Sequence, residues 1–299
     1  MTDPAVSPSA GGHSPQHAIT RGSWVYRRGP HLLLLPPLVI LSIGFLLPIT
    51  LLLSRSVFDP TFTLAHYLRL FAVPAYVKIF VFSFETALIT TSLTLVLAYP
   101  YAYALTLVAP RWSALLIAFV LLPYWTNVLV RCYSWMLILQ TKGLLNTALI
   151  DWLHLPIRPL SLMFNFVGVI VGMVHYLLPP MVLILYSVMR AIDLSLVRAA
   201  EGLGAHPLRA FWRIFVPLSL PGVRAACVLI FILSLGFFVT PALLGGRKDV
   251  TIAMVIDTQF TETVNWGFGS ALASVLLVIT LAGLLLYYRL GDRSPTAVR

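Results

Sequence analysis

Long apolar runs alternate with short polar segments along the chain. A helix that crosses a bilayer needs about 20 mostly apolar residues. Six stretches qualify, at about 32–53, 79–108, 113–139, 164–188, 222–244 and 268–288. The pattern predicts an all-α fold, a polytopic membrane protein with about six transmembrane helices. The segments 55–78 and 140–163 leave room for one small helix each. After the Gly245–Gly246 turn, the stretch VTIAMVIDTQF predicts a short helix folded against the membrane surface. Pro100, Pro123, Pro179 and Pro180 fall inside spans, where a freed carbonyl is tolerated if a neighbour or water satisfies it, and they mark bending points.

The longest polar, cation-bearing segment between two spans is 193–222. It reads as two short helices with a joint. Asp193 is a good N-cap, and Leu196, Ala199, Ala200 and Leu203 share a face of the helix it starts. Gly204 suits a helix stop, because glycine tolerates a left-handed backbone. Pro207 fits the first turn of a second helix. There Leu208, Phe211, Trp212 and Phe215 recur at i, i+3, i+4 and i+7, with Arg209 and Arg213 on another face. Pro217 and Pro221 are expected to end it. Such a pair either rests on lipid or docks onto a soluble protein.

Composition supports the membrane reading. Of 299 residues 59% are hydrophobic and 10% charged, against about 25% charged in ordinary globular chains; mean hydropathy is +0.92. The net charge of +10 follows from Arg in tails and loops, and no nucleic-acid motif accompanies it. By the positive-inside rule both ends and the 193–222 segment face the cytoplasm. The expected organisation is a disordered cytoplasmic tail over 1–28, a transmembrane domain over 29–290 with a cytoplasmic loop at 190–221, and a cytoplasmic tail over 291–299. Cys132 and Cys227 lie within apolar runs without metal-ligand spacing, so neither a metal site nor a disulfide is expected. There is no Gly-x-x-x-x-Gly-Lys-Ser/Thr phosphate loop and no catalytic constellation, so no enzymatic activity and no cofactor are expected in this chain.

The spacing Ala199-Ala200, Gly204, Ile214, Pro217 resembles the EAA loop of ATP-binding-cassette (ABC) importer permeases: Glu-Ala-Ala, three residues, Gly, nine residues, Ile-x-Leu-Pro. Arg198 stands where that family has Glu, with Glu201 one turn on, and Val216 stands for Leu. Further stretches resemble the first permease subunit of spermidine/putrescine ABC importers: ITTSLTLVLAYPYAYAL (89–105), LLPYWTNVLVRCYSWMLIL (121–139), TKGLLNTAL (141–149), HYLLPPMVLILYSVM (175–189), FFVTPALLGGRKD (237–249) and NWGFGSALA (265–273). The resemblance implies an ABC-importer (MetI-like) permease fold in the bacterial inner membrane. It implies two cytoplasmic ATPase subunits that bind the ATP, a second related permease, and a solute-binding protein outside. The solute is a small polar one, a polyamine or, in the wider family, an opine or phosphonate. The coupling loop is then Arg198, Ala199, Ala200, Glu201, Gly204, Pro207, Leu208, Phe211, Trp212, Ile214 and Pro217, with the apolar face of its second helix making most of the ATPase contact.

Ionisable groups within spans are the first suspects for a transport path. Glu85 and Arg131 fall at similar depths in the second and third spans, so they are expected either to pair or to leave Glu85 for a cationic solute. Tyr99 and Tyr103, together with Tyr133 and Trp135, suit an aromatic-lined path that holds ammonium groups by cation–π contact. Asp257 is placed to meet incoming solute or the binding protein. An ion-coupled secondary transporter is the rival reading; it needs carboxylates in several spans, and Glu85 alone is offered.

Overall fold

The computed structural model describes residues 35–59, 61–156 and 158–291. The segments read as tails, 1–28 and nearly all of 291–299, lie outside the described residues. Among those described, five helices are long and apolar enough to cross a membrane, or six when one bent pair counts as a single span. They are α1 (Leu35–Arg55), α3 (Pro74–Leu107), the pair α4 (Pro110–Trp125) and α5 (Val128–Leu139, within the longer helical run Val128–Trp152), α7 (Phe166–Met189), α9 (Pro207–Leu235) and α12 (Trp266–Gly291). Shorter helices join them: α2 (Ala65–Ala72), α6 (Leu144–Thr147), α8 (Ser195–Gly202), α10 (Val239–Leu244) and α11 (Ile252–Thr261). The last of these is the short helix expected after Gly246. Of the described residues, those up to Ser54 belong to one unit and those from Arg55 onward to another.

The second unit is built on α3 against α7. The buried face of α3 carries Ser83, Thr86, Ala87, Thr90, Thr91, Thr94, Ala98 and Ala102 at helical spacing. In a bilayer, small residues let helix backbones approach closely, and dispersion contacts replace the hydrophobic drive. Most of the hydroxyls are accommodated locally: Thr86, Thr91 and Thr94 donate to carbonyls one turn back at 2.7 Å, while the buried Thr90 hydroxyl has no partner among the described residues. Ser83 Oγ also accepts from the Ile252 N–H at 2.8 Å, tying α11 to α3. The main core joins Ala98, Ala102 and Leu105 to Leu177, Met181, Leu185 and Met189 of α7 and to Phe215, Ala226 and Ile230 of α9. At Gly222 the crossing is so tight that a Cβ would sit 2.6 Å from the Val188 side chain.

Two expectations about helix continuity are corrected. The third span is not one helix: α4 ends in a 3-10 turn over Leu122–Trp125, and α5 leaves at 97°. Nor do Pro217 and Pro221 stop the helix that starts at Pro207; it runs unbroken to Leu235. A proline ring collides with the carbonyl four residues earlier. Here a wide π turn over Phe211–Phe215, closed by Val216 N–H to Phe211 O, opens the backbone around Arg213, the residue four before Pro217. In α1 the same device precedes Pro48, with a π turn over Ser42–Leu46. Such single π turns are a recognised way for helices to absorb an insult.

Candidate functional site

The jointed element predicted from sequence is present, and its joint is set by hydrogen bonding. Asp193 accepts from the Ser195 N–H at 2.8 Å. Hydrogen bonds from the Ser195 hydroxyl and N–H, helped by the charge of Arg198, hold the Asp193 carboxyl below its usual range. At the other end of α8, Gly204 N–H donates to Glu201 O at 2.9 Å and Ala205 N–H to Ala200 O at 3.0 Å. This paired pattern is a Schellman cap, which needs a left-handed residue in its penultimate position. Gly204 fills it with φ of +89°, and the space around it is open. His206 Nδ1 then accepts from Leu208 N–H at 3.3 Å, and Pro207 opens α9. The second arm of the element is therefore the first two turns of a membrane span.

The apolar stripe of that arm, expected to make most of the ATPase contact, divides between a buried and an exposed half. Phe215 is fully buried, and Phe211 stacks on it at 5.7 Å. Both rings meet Tyr103, at 4.9 and 4.7 Å, and Phe211 also meets Tyr99 at 6.4 Å. Tyr99 and Ser219 share a hydrogen bond of 2.8 Å between α3 and α9. Tyr99 and Tyr103, expected along a solute path, are thus packed against the second arm of the elbow. Leu208 and Trp212 point the other way, 63% and 62% exposed. With His206, Arg209 and Arg213 they border a shallow surface cavity of about 320 Å³. Leu203, at the joint, is 90% exposed. Arg198, Ala199 and Glu201 are exposed along α8 and Pro217 along α9, whereas Ala200 and Ile214 are half-buried.

Glu85 and Arg131 do not pair. Arg131 is buried, and its Nη2 donates to three carbonyls that line the break between α4 and α5: Pro123 O, Tyr124 O at 3.0 Å and Thr126 O at 2.9 Å. The end of α4 leaves carbonyls short of helical donors; Nη2 adds a donor to each, and Pro123 O also accepts from the Thr126 N–H and hydroxyl. Its Cζ lies 4.8 Å from the centre of the Tyr176 ring. Nε and Nη1 have no partner among the described residues. Trp135, one turn on, meets His175 edge-on at 5.4 Å, and both border an apolar cavity of about 410 Å³ with residues of α3 and α7. Tyr133 is exposed on a different side of α5, and Asp257 is exposed on α11. Glu85 faces a separate groove of about 470 Å³ between α2, α3, α9 and α12.

Asn146 was legible only as part of a motif match. It is buried; its amide donates to Gln140 O, Thr141 O and Leu160 O, and its oxygen accepts from Leu160 N–H at 2.8 Å. These bonds fix the loop that follows the broken span. Gly143 is required beside it, since a Cβ there would lie 2.6 Å from the carbonyls of Leu137 and Ile138.

The family model described as "Binding-protein-dependent transport system inner membrane component" matches residues 25–294. Spermidine/putrescine transport system permease protein PotB of Escherichia coli K12 is 38% identical over 255 residues, 85% of this chain and 90% of that protein. The PotB of Haemophilus influenzae is 36% identical over 258 residues, 86% of this chain and 87% of its own. In structure, a chain of a bacterial alginate ABC transporter, solved with an alginate pentasaccharide-bound periplasmic protein, aligns with a TM-score of 0.72. That match has 16% identity and covers 91% of this chain and 97% of the other. The broken third span, the capped joint and the unbroken arm leading into a span are thus set in the fold of an ABC-importer permease. This chain belongs to the family of inner membrane components of binding-protein-dependent transport systems and is a permease subunit of an ABC importer.

Proposed function

We propose that this permease carries a polyamine of the spermidine/putrescine class inward, driven by ATP that separate subunits hydrolyse. The observation that carries the solute assignment is the identity of more than a third of residues with spermidine/putrescine permeases, spread over most of both chains. An opine or a phosphonate is the alternative solute. The chain works with two cytoplasmic ATPase subunits, a second related permease and an external solute-binding protein. Its termini and the 193–215 elbow lie in the cytoplasm, consistent with the Arg-rich loops on that side.

The geometry supports a division of labour along the elbow. Leu203, Leu208 and Trp212 present an apolar ridge flanked by Arg209 and Arg213, which suits a groove on the ATPase. Phe211 and Phe215, held by Tyr99 and Tyr103, fasten the elbow to α3. Because the second arm runs into α9 without a stop, a push on Trp212 acts directly on a span. A rigid helix moved at one end transmits its displacement to the other, and the tight crossing at Gly222 passes it to α7. Bound solute then meets a cavity opened alternately to either side.

The test is uptake of labelled spermidine into proteoliposomes holding the assembled importer and its binding protein. Uptake that requires ATP and is competed by putrescine supports the reading. Uptake driven by an ion gradient without ATP refutes the coupling. ATP-driven uptake of an opine or a phosphonate but of no polyamine refutes the solute assignment.

A further inference from the structure

Glu85 is a carboxylate in a place where lipid would not tolerate one. The helix α3 is 34 residues long, about 51 Å at 1.5 Å per residue, and Glu85 lies eleven residues, about 16 Å, from its first turn. With hydrocarbon about 30 Å thick centred on α3, that depth is inside the apolar layer. The side chain is exposed and makes no hydrogen bond or ion pair with any described residue. Every other residue of its groove is apolar, Phe80, Phe84, Phe231 and Val275 among them. Phe84 and Phe231 stand 5.9 Å apart, and both also border a second cavity of about 590 Å³. The two cavities share Leu88 and Ile279 as well, so a continuous apolar trough passes the carboxylate.

An ionised group at this depth faces a water-filled path or a cation, not acyl chains. The trough offers apolar walls for methylene groups, two ring faces, and one fixed negative charge. That is the complement of a linear alkyl polyamine, whose methylene runs separate ammonium groups. We infer that Glu85 is the specificity-determining anion of the transport path: it receives one ammonium of the polyamine in transit, while Phe84 and Phe231 flank the cation and the second permease closes the open side of the trough. The inference rests on the polyamine reading above.

The assembled importer in proteoliposomes tests it, with spermidine uptake, complex assembly and ATPase activity measured for Glu85→Gln and Glu85→Asp. A hydrogen bond to a charged group is strong enough that its loss is read as about tenfold or more. Glu85→Gln is expected to lower spermidine uptake at limiting solute by that factor with assembly intact, and Glu85→Asp, which keeps the charge, to restore most of it. Dicyclohexylcarbodiimide, an apolar reagent that adds to a carboxyl group as it takes up a proton, is expected to label Glu85 in the solute-free wild-type complex and to be blocked by spermidine. Normal spermidine uptake by Glu85→Gln overturns the inference while leaving the polyamine reading in place. Failure of Glu85→Gln to assemble with the second permease overturns it in favour of an interchain contact, and labelling that spermidine does not block overturns it too. A wild-type importer that carries no polyamine overturns both readings.

Discussion

Trp212→Ala separates docking from folding. The ring is 62% exposed, and a buried tryptophan covers up to about 250 Å², so about 150 Å² of it remains for a partner. At about 25 cal/mol per Å² that surface is worth just under about 4 kcal/mol on complete burial. Ordering and polar desolvation take part of this, and a central aromatic anchor commonly shows about 2 kcal/mol or more on truncation. Affinity for the ATPase subunits is therefore expected to fall about thirtyfold. The thermal stability of the permease should stay within about 0.5 kcal/mol of wild type, as for other exposed substitutions. The buried ring three positions on gives the contrast: Phe215→Ala removes the side chain that Tyr103 and Phe211 pack on and should destabilise by about 3–5 kcal/mol. The assay is titration of purified ATPase onto nanodisc-embedded permease complex, with thermal unfolding in parallel. Unchanged ATPase affinity for Trp212→Ala would refute the division of the stripe, and so would equal loss of stability in the two variants.

Gly204→Ala is expected to strain the joint by about 1–2 kcal/mol, the cost of a left-handed non-glycine residue. The site is otherwise open, so hydrogen exchange should rise at Gly204 and Ala205 and nowhere in α7. Arg131→Met removes the Arg131 donor from the carbonyls of Tyr124 and Thr126, while Pro123 O keeps the Thr126 N–H and hydroxyl. The buried guanidinium's bonds to the backbone are lost, at about 1–3 kcal/mol in all for such a charged hydrogen-bonding group, so the variant should lower the unfolding temperature with ATPase affinity unchanged. The Asp193 cap carries a pH dependence. Its carboxyl is held below the ordinary range in the fold, so its contribution is present above the unfolded value and lost as pH falls through the lowered one. Exchange protection at Ser195 and Leu196 should weaken in that window and become insensitive to it in Asp193→Asn.

The sequence carried most of the fold because span length and polarity are one-dimensional signals. The joint was equally readable, since Gly204 and Pro207 each have a single backbone use there. What it hid was angular. Depth along a helix placed Glu85 and Arg131 at comparable levels, but their azimuths part them: Arg131 turns to Tyr176, and Glu85 to the side of Phe231. The residues LPYWTN at the end of α4 and the break are apolar enough to pass for continuous helix, and Arg131, meeting three carbonyls at once, braces the 97° turn together with the Asn127 cap of α5. Pro217 reads as a stop in water-soluble helices. Here a π turn upstream and packing by α3 and α7 keep the helix intact. The stripe at 208–215 has ideal spacing for one face, yet Tyr99 and Tyr103, more than a hundred residues earlier, claim half of it.

The central claim is that the elbow faces the cytoplasm and is covered there by an ATPase. A single cysteine at Leu203, in a background without Cys132 and Cys227, tests it by labelling with a membrane-impermeant maleimide. The account predicts labelling in inside-out vesicles stripped of ATPase, protection when ATPase is added back, and no labelling of intact right-side-out vesicles. Labelling from the outer face, or labelling from the inner face that saturating ATPase does not reduce, would contradict it.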